Sequence, residues 1–242
     1  MLYPFLIIFL LISSFVRGEN KHTTLPISTF SIVARDQATG EIGVAVQSKF
    51  IAVGSVVPYA KAGIGAIASQ AWGNVRYGPV GLDLLLQGKS AQEVVQLMTE
   101  ADPMREHRQL AVIGTDGNAS SYTGKECNPW AGSKTGKHFS VQGNLLASPE
   151  VIDAMASIFE SSKGVLAERL IKALRAGQDA GGDKRGRQSA ALLVVRKGWG
   201  YGGLNDRFRD LRVDDHPFPI KELKRIYEIH RKIFPRPEQR LK

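Results

Sequence analysis

Cysteine is almost missing from this chain: Cys127 is the single one in 242 residues, so no intramolecular disulfide can form. That neither requires nor excludes an oxidising compartment, and nothing beside Cys127 in the sequence would lower its pKa into the range of a catalytic thiol. Long apolar runs are also scarce. The longest, residues 5–12, spans eight positions, well short of the roughly 20 that cross a bilayer. Acidic residues are outnumbered 23 to 32 by Lys and Arg, for a net charge of +9. Over half of that excess lies beyond residue 220, where eight Lys/Arg face three Glu. No aromatics interleave a basic stripe, so this is read as a solvated amphipathic end, and no nucleic-acid partner is expected. Metal frameworks are missing as well. Asp214-Asp215-His216 stands before Pro217 as a surface turn, with no HExxH or Cys/His set to support it. No metal and no cofactor are expected.

Two nucleotide signatures fail. Gly88-Lys89-Ser90 resembles the end of a P-loop, but Asp83 occupies the position of the required upstream glycine. Gly63-Ile64-Gly65-Ala66-Ile67-Ala68 fits a relaxed dinucleotide fingerprint, yet Ser69-Gln70-Ala71-Trp72-Gly73 follows where an amphipathic helix should begin. A strand approached closely by another backbone is the better reading.

The N-terminal 18 residues read as a cleavable signal peptide, with the apolar run ending in Val16-Arg17-Gly18. Residues 19–28 are polar, contain Pro26 and have no periodicity, so they form a linker or propeptide. A secreted or periplasmic protein follows, with no membrane contact after cleavage. The folded part opens at Thr29-Phe30-Ser31-Ile32-Val33-Ala34-Arg35-Asp36, whose period of two predicts a half-buried strand. Residues 36–40 turn, and Ile42, Val44 and Val46 carry a second strand. Residues 53–71 are β-leaning and broken at Pro58. Pro79 opens a helix through Leu86, and Ser90-Ala91-Gln92-Glu93 is a capping box for another through Glu100. Residues 110–123 form a hairpin and 138–146 a strand. Helices follow over 150–161 and 165–175, the latter stopped at Gly177. Strands at 188–195 and 211–213 precede a closing helix at 219–229 and a basic tail, 231–242. Antiparallel strand pairs and paired helices predict a layered α+β fold.

Were the chain cut before Thr29, the first folded residue would carry a hydroxyl beside a free amine, a nucleophile with its own base. Residues 29–36, Gly43-Val44-Ala45-Val46-Gln47-Ser48, Gln142-Gly143-Asn144, Ala180-Gly181-Gly182-Asp183-Lys184-Arg185-Gly186-Arg187-Gln188-Ser189 and Leu211-Arg212-Val213-Asp214-Asp215-His216-Pro217 together resemble the DUF1028 family, placed in the N-terminal nucleophile (Ntn) hydrolase superfamily. The resemblance spans residues 29–230. It implies a four-layer αββα sandwich of two antiparallel sheets flanked by helices, with Thr29 as nucleophile at the start of a central strand. It further implies Lys61 as the basic residue near that nucleophile, Asp183 and Ser189 flanking its amine, and Gln142-Gly143-Asn144 as a turn on the other side. The Ser69-Gln70-Ala71 backbone and the Asn144 amide are the candidate oxyanion donors, with Gln142 beside them in the oxyanion and substrate-binding set.

The expected activity is cleavage of an amide, in a small molecule or peptide, through a Thr29 acyl-enzyme. It requires a second cut at Ser28–Thr29, because an uncut Thr29 has an amide nitrogen in place of a base. A catalytically inactive Ntn-fold binding module, cell-wall associated through binding of wall material, is the alternative reading of a different class. Exposed strand edges leave a homodimer open.

Overall fold

The computed structural model describes residues 29–237. The signal peptide and linker read at 1–28 and the last residues of the basic tail lie outside them. Ten strands and five α-helices follow in the order β1 (Thr29–Arg35), β2 (Ile42–Ser48), β3 (Pro58–Lys61), β4 (Gly65–Ala71), α1 (Tyr77–Leu86), α2 (Ala91–Glu100), β5 (Arg108–Gly114), β6 (Ala119–Thr123), β7 (Gly132–Gly136) and β8 (Phe139–Asn144). The chain continues with α3 (Glu150–Ser161), α4 (Leu166–Asp179), β9 (Ser189–Val195), β10 (Arg207–Val213) and α5 (Pro219–Ile233). Among the described residues no helix is long and apolar enough to cross a membrane.

The strands make two antiparallel sheets, one of six in the order β10-β9-β2-β1-β8-β7 and one of four in the order β3-β4-β5-β6. The fold is α+β. Alternation along β1 divides its side chains between two apolar seams. Phe30, Ile32 and Ala34 meet Met155, Phe159, Leu170 and Leu174 of α3 and α4. Val33, with Val44, Val46, Ala191 and Leu193, meets Ala66, Ala68, Ala111 and Ile113 of the smaller sheet. The opposite face of that sheet, Ile67, Leu110 and Val112, packs on Tyr77, Val94, Val95 and Met98 of α1 and α2. Each large side chain buried in these seams contributes about 1.5–3 kcal/mol.

The half-buried reading of the first strand is therefore corrected: residues Thr29 through Ala34 are all buried. Both faces are covered, and the polar positions Thr29 and Ser31 are buried in hydrogen bonds between the sheets. The capping box at Ser90 forms as expected, with Glu93 N–H donating to Ser90 Oγ at 3.2 Å and Ser90 N–H to Glu93 Oε2 at 2.8 Å. Gly177 does not stop α4, which runs to Asp179. It lets the helix approach the sheet, because a Cβ there would lie 2.7 Å from Met155 Cγ and 3.4 Å from Phe30 Cε2. Likewise α5 extends to Ile233, three residues into the stretch assigned to a tail. Residues 63–68 enter strand β4 with no helix near Gly65, which ends the dinucleotide reading.

Candidate site at the head of the first strand

Thr29 begins β1 at the centre of the six-stranded sheet, paired with Ser48 of β2 on one side and Asn144 of β8 on the other. Ser48 in turn pairs with Ser189 of β9. One row across four strands thus reads Ser189, Ser48, Thr29, Asn144. Their side chains face the smaller sheet and are 0–2% exposed. Thr29 Oγ1 donates to Ser48 Oγ at 3.2 Å.

Behind this row a chain of amides and hydroxyls ties the sheets together. Ser140 Oγ donates to Gln142 Oε1 at 3.0 Å, and Gln142 Nε2 donates to Ser31 Oγ at 2.6 Å. Ser31 Oγ donates to Gln70 Oε1 at 2.6 Å, and Gln70 Nε2 to Gln109 Oε1 at 2.7 Å. Gln109 Nε2 ends the series on Gly143 O at 2.8 Å. Gln70 Nε2 also reaches Thr29 O at 3.3 Å, and Asn144 Nδ2 reaches Gln109 Oε1 at 3.1 Å. Every link runs donor to acceptor in one direction, so Ser31, the one hydroxyl in the middle, is used both ways. Burying these groups unpaired would cost about 1–3 kcal/mol apiece.

Asp183 and Ser189 brace the rim. Asp183 is bridged to Leu146, directly beyond β8. Its carboxylate accepts Lys49 N–H at 3.0 Å and Arg185 N–H at 2.9 Å, and holds the Arg185 guanidinium at 2.9 Å. The Asp183 side chain is fully buried and that of Arg185 is 31% exposed. Ser189 Oγ donates to Phe50 O and accepts Val53 N–H at 3.1 Å. Both residues therefore fix the segment that follows Ser48.

Lys61 is not brought to this group. It is exposed and pairs with Gly65 at the far end of β4. Gln70, whose amide reaches Thr29 O, stands five residues farther along that strand, about 17 Å away at the usual rise. The structure does gather Thr29, Gln70, Gln142, Asn144, Asp183 and Ser189 at one end of the two sheets. Two members escaped the reading of the sequence, Ser48 and Gln109. The period-two register of the opening hairpin would have pointed to Ser48; Gln109 stands between Arg108 and the apolar run that begins at Leu110, where nothing in the sequence marks it.

Three of the four non-glycine residues with positive φ among the described residues lie at the same end: Ala71 (65°) directly after Gln70, Leu145 (52°) directly after Asn144, and Ala52 (51°) beyond Ser48, whereas His138 (69°) stands ahead of the other end of β8. Such strain collects where surroundings over-determine the backbone. The loop after Ala71 is held by Asp102, which accepts from Met104 N–H at 2.8 Å, Asn74 Nδ2 at 3.1 Å, Arg108 Nε at 3.0 Å and Tyr77 Oη at 2.8 Å. Burial alone would raise the Asp102 pKa, but these donors outweigh it and hold the carboxyl at about 2. Cys127 is the opposite case: burial pushes its thiol up to about 11, which leaves it protonated at neutral pH. A cleft of about 660 Å³ runs between α3, α4 and α5. Its carboxylates Glu168 and Glu228 are matched by Arg231 at 2.6 and 3.6 Å and Asp179 by Arg175 at 2.7 Å, and the Tyr227 hydroxyl donates to Glu168 at 3.3 Å.

The model of a family of unknown function, DUF1028, matches residues 29–223, beginning at the threonine that heads β1. The chain belongs to the DUF1028 family. A crystal structure from the same family, protein SPO2555 from Silicibacter pomeroyi, is similar to it at 33% identity and a TM-score of 0.77, over 84% of this chain and 89% of the other. No curated protein matches this DUF1028 chain.

Proposed function

We propose that this DUF1028 protein is an exported Ntn-type amidohydrolase, and that its paired sheets and flanking helices are the αββα sandwich of that superfamily. The observation that carries the reading is the place of Thr29. It heads a central strand, its hydroxyl is held between the sheets, and it is the residue at which the family match begins. After a cut at Ser28–Thr29 its α-amine, with a pKa of roughly 7.7–8.0, takes the hydroxyl proton at neutral pH. Thr29 Oγ1 then attacks the carbonyl carbon of the substrate amide. The proton passes from the amine to the departing nitrogen, and water hydrolyses the resulting ester to release the acid and regenerate Thr29.

Asn144, in register with Thr29, is a donor suited to the developing oxyanion; one such donor is typically worth about 3–4 kcal/mol of barrier. Asp183 and Ser189 act by holding the 49–53 segment. Lys61 is left out of the mechanism.

Intact-mass measurement of the exported full-length chain tests the proposal. The expected product starts at Thr29, and Thr29→Ala leaves residue 28 attached while Lys61→Ala is processed as wild type. Folded wild-type material that starts at Glu19 would overturn the hydrolase reading and favour the binding module.

A further inference from the structure

We infer that Ser48 is the positioning residue for the Thr29 hydroxyl, a role that rests on the N-terminal nucleophile reading above. The two oxygens are 3.2 Å apart and both residues are 0% exposed. The helpers expected from the sequence are directed one step farther out. Asp183 holds the backbone N–H of Lys49, and Ser189 holds Phe50 O and Val53 N–H. These contacts begin at the residue after Ser48 and run along the next turn. Gln188 N–H also donates to Ser48 O at 3.0 Å. Order therefore passes from Asp183 and Ser189 into the 48–53 segment, and from Ser48 to Thr29.

A hydroxyl suits this position for a chemical reason. Serine both accepts and donates, and its hydrogen rotates to suit. Before attack, Ser48 Oγ accepts from Thr29 and holds its branched side chain in one of its few χ1 wells. Once the Thr29 amine has taken the proton, the Ser48 O–H turns and donates to the electron-rich Oγ1, so the nucleophile keeps a partner throughout. Alanine offers neither half of that exchange. Threonine offers both, and a β-branched side chain is at home in a strand.

The test uses the full chain expressed with export, first sized by intact mass. A wild-type product that does not start at Thr29 sinks the hydrolase reading itself. With Thr29 established as the N-terminus, labelling by an acylating β-lactone probe is followed against pH in wild type, Ser48→Ala and Ser48→Thr. Ser48→Ala is expected to label about tenfold more slowly, the loss of one well-placed hydrogen bond. Its pH midpoint is expected to stay where the amine sets it, and Ser48→Thr is expected to recover most of the rate. A Ser48→Ala chain that stays uncut while Ser48→Thr is cut supports the same role in the processing step. Ser48→Ala labelling at the wild-type rate, or Ser48→Thr labelling no faster than Ser48→Ala, would overturn the assignment and leave the hydrolase reading standing.

Discussion

The amide chain between the sheets makes a strong demand that a double-mutant cycle on Gln70 and Gln109 can meet or break. Gln109→Leu keeps the volume roughly constant and removes both ends of the amide. It takes from Gln70 Nε2 its 2.7 Å acceptor, from Asn144 Nδ2 its 3.1 Å acceptor, and from Gly143 O its 2.8 Å donor. Gln109 Nε2 also leaves Thr123 Oγ1 at 3.0 Å and Gly132 O at 3.2 Å, and each of the five hydrogen bonds lost in this interior costs about 0.5–1.5 kcal/mol. Gln70 keeps longer contacts to Thr29 O and Gln142 O, at 3.3 and 3.5 Å, so its share lies at the low end. A loss of about 3–6 kcal/mol is expected for Gln109→Leu, a large part of the 5–15 kcal/mol that typically holds a domain together. Gln70→Leu removes the acceptor of the Ser31 hydroxyl and is expected to cost about 2–4 kcal/mol. The double variant should cost less than the two losses added together, by about 1 kcal/mol or more, because the shared bond is broken only once and two apolar groups then face each other. Urea denaturation of the four proteins at constant slope reads this directly. Strict additivity, or a Gln109→Leu loss below about 1 kcal/mol, would refute the picture of one connected chain.

The Asp102 carboxyl contributes stability that is fully present above its unfolded pKa near 4 and is lost as pH falls through about 2. With the side chain 6% exposed, that contribution is about 2 kcal/mol and should be missing from Asp102→Asn when denaturation is followed from pH 5 down to pH 2. Gly177→Ala should lower stability by about 1–3 kcal/mol, since the new methyl meets Met155 Cγ at 2.7 Å and Sδ at 2.8 Å. Adding Met155→Ala to that variant should bring less than its usual penalty, because the collision is then gone; a full additive cost would show that the contact was misjudged.

Much of the architecture could be read from the chain because it rests on local signals. The Ser90 capping box, the alternation through β1 and the turn at residues 115–118 each lie within a few residues. What could not be read depends on the second partner. β7, Gly132-Ser133-Lys134-Thr135-Gly136, carries no apolar period and is a strand because β8 lies beside it. β10 begins at Arg207, four residues ahead of the apolar start at Leu211, because β9 continues to Val195 opposite it. At the candidate site, resemblance to a family named residues that, apart from Lys61, gather at one end of the two sheets. It failed at Lys61, whose distance from Thr29 is set by which way β3 runs against β4, and it passed over Ser48 and Gln109, whose value comes only from what faces them.

The row Ser189, Ser48, Thr29, Asn144 also bears on how the chain finds its native pairing. Neighbouring positions along β1 point to opposite sides, so slipping the strand by one residue against β2 would thrust the Phe30 ring among the amides and the Thr29 hydroxyl among the methyl groups of α3 and α4. Neither error can be absorbed by relaxation. A misaligned hairpin is thus penalised on both sides at once, and the same alternation that aims the Thr29 hydroxyl between the sheets serves as a proofreading device during folding.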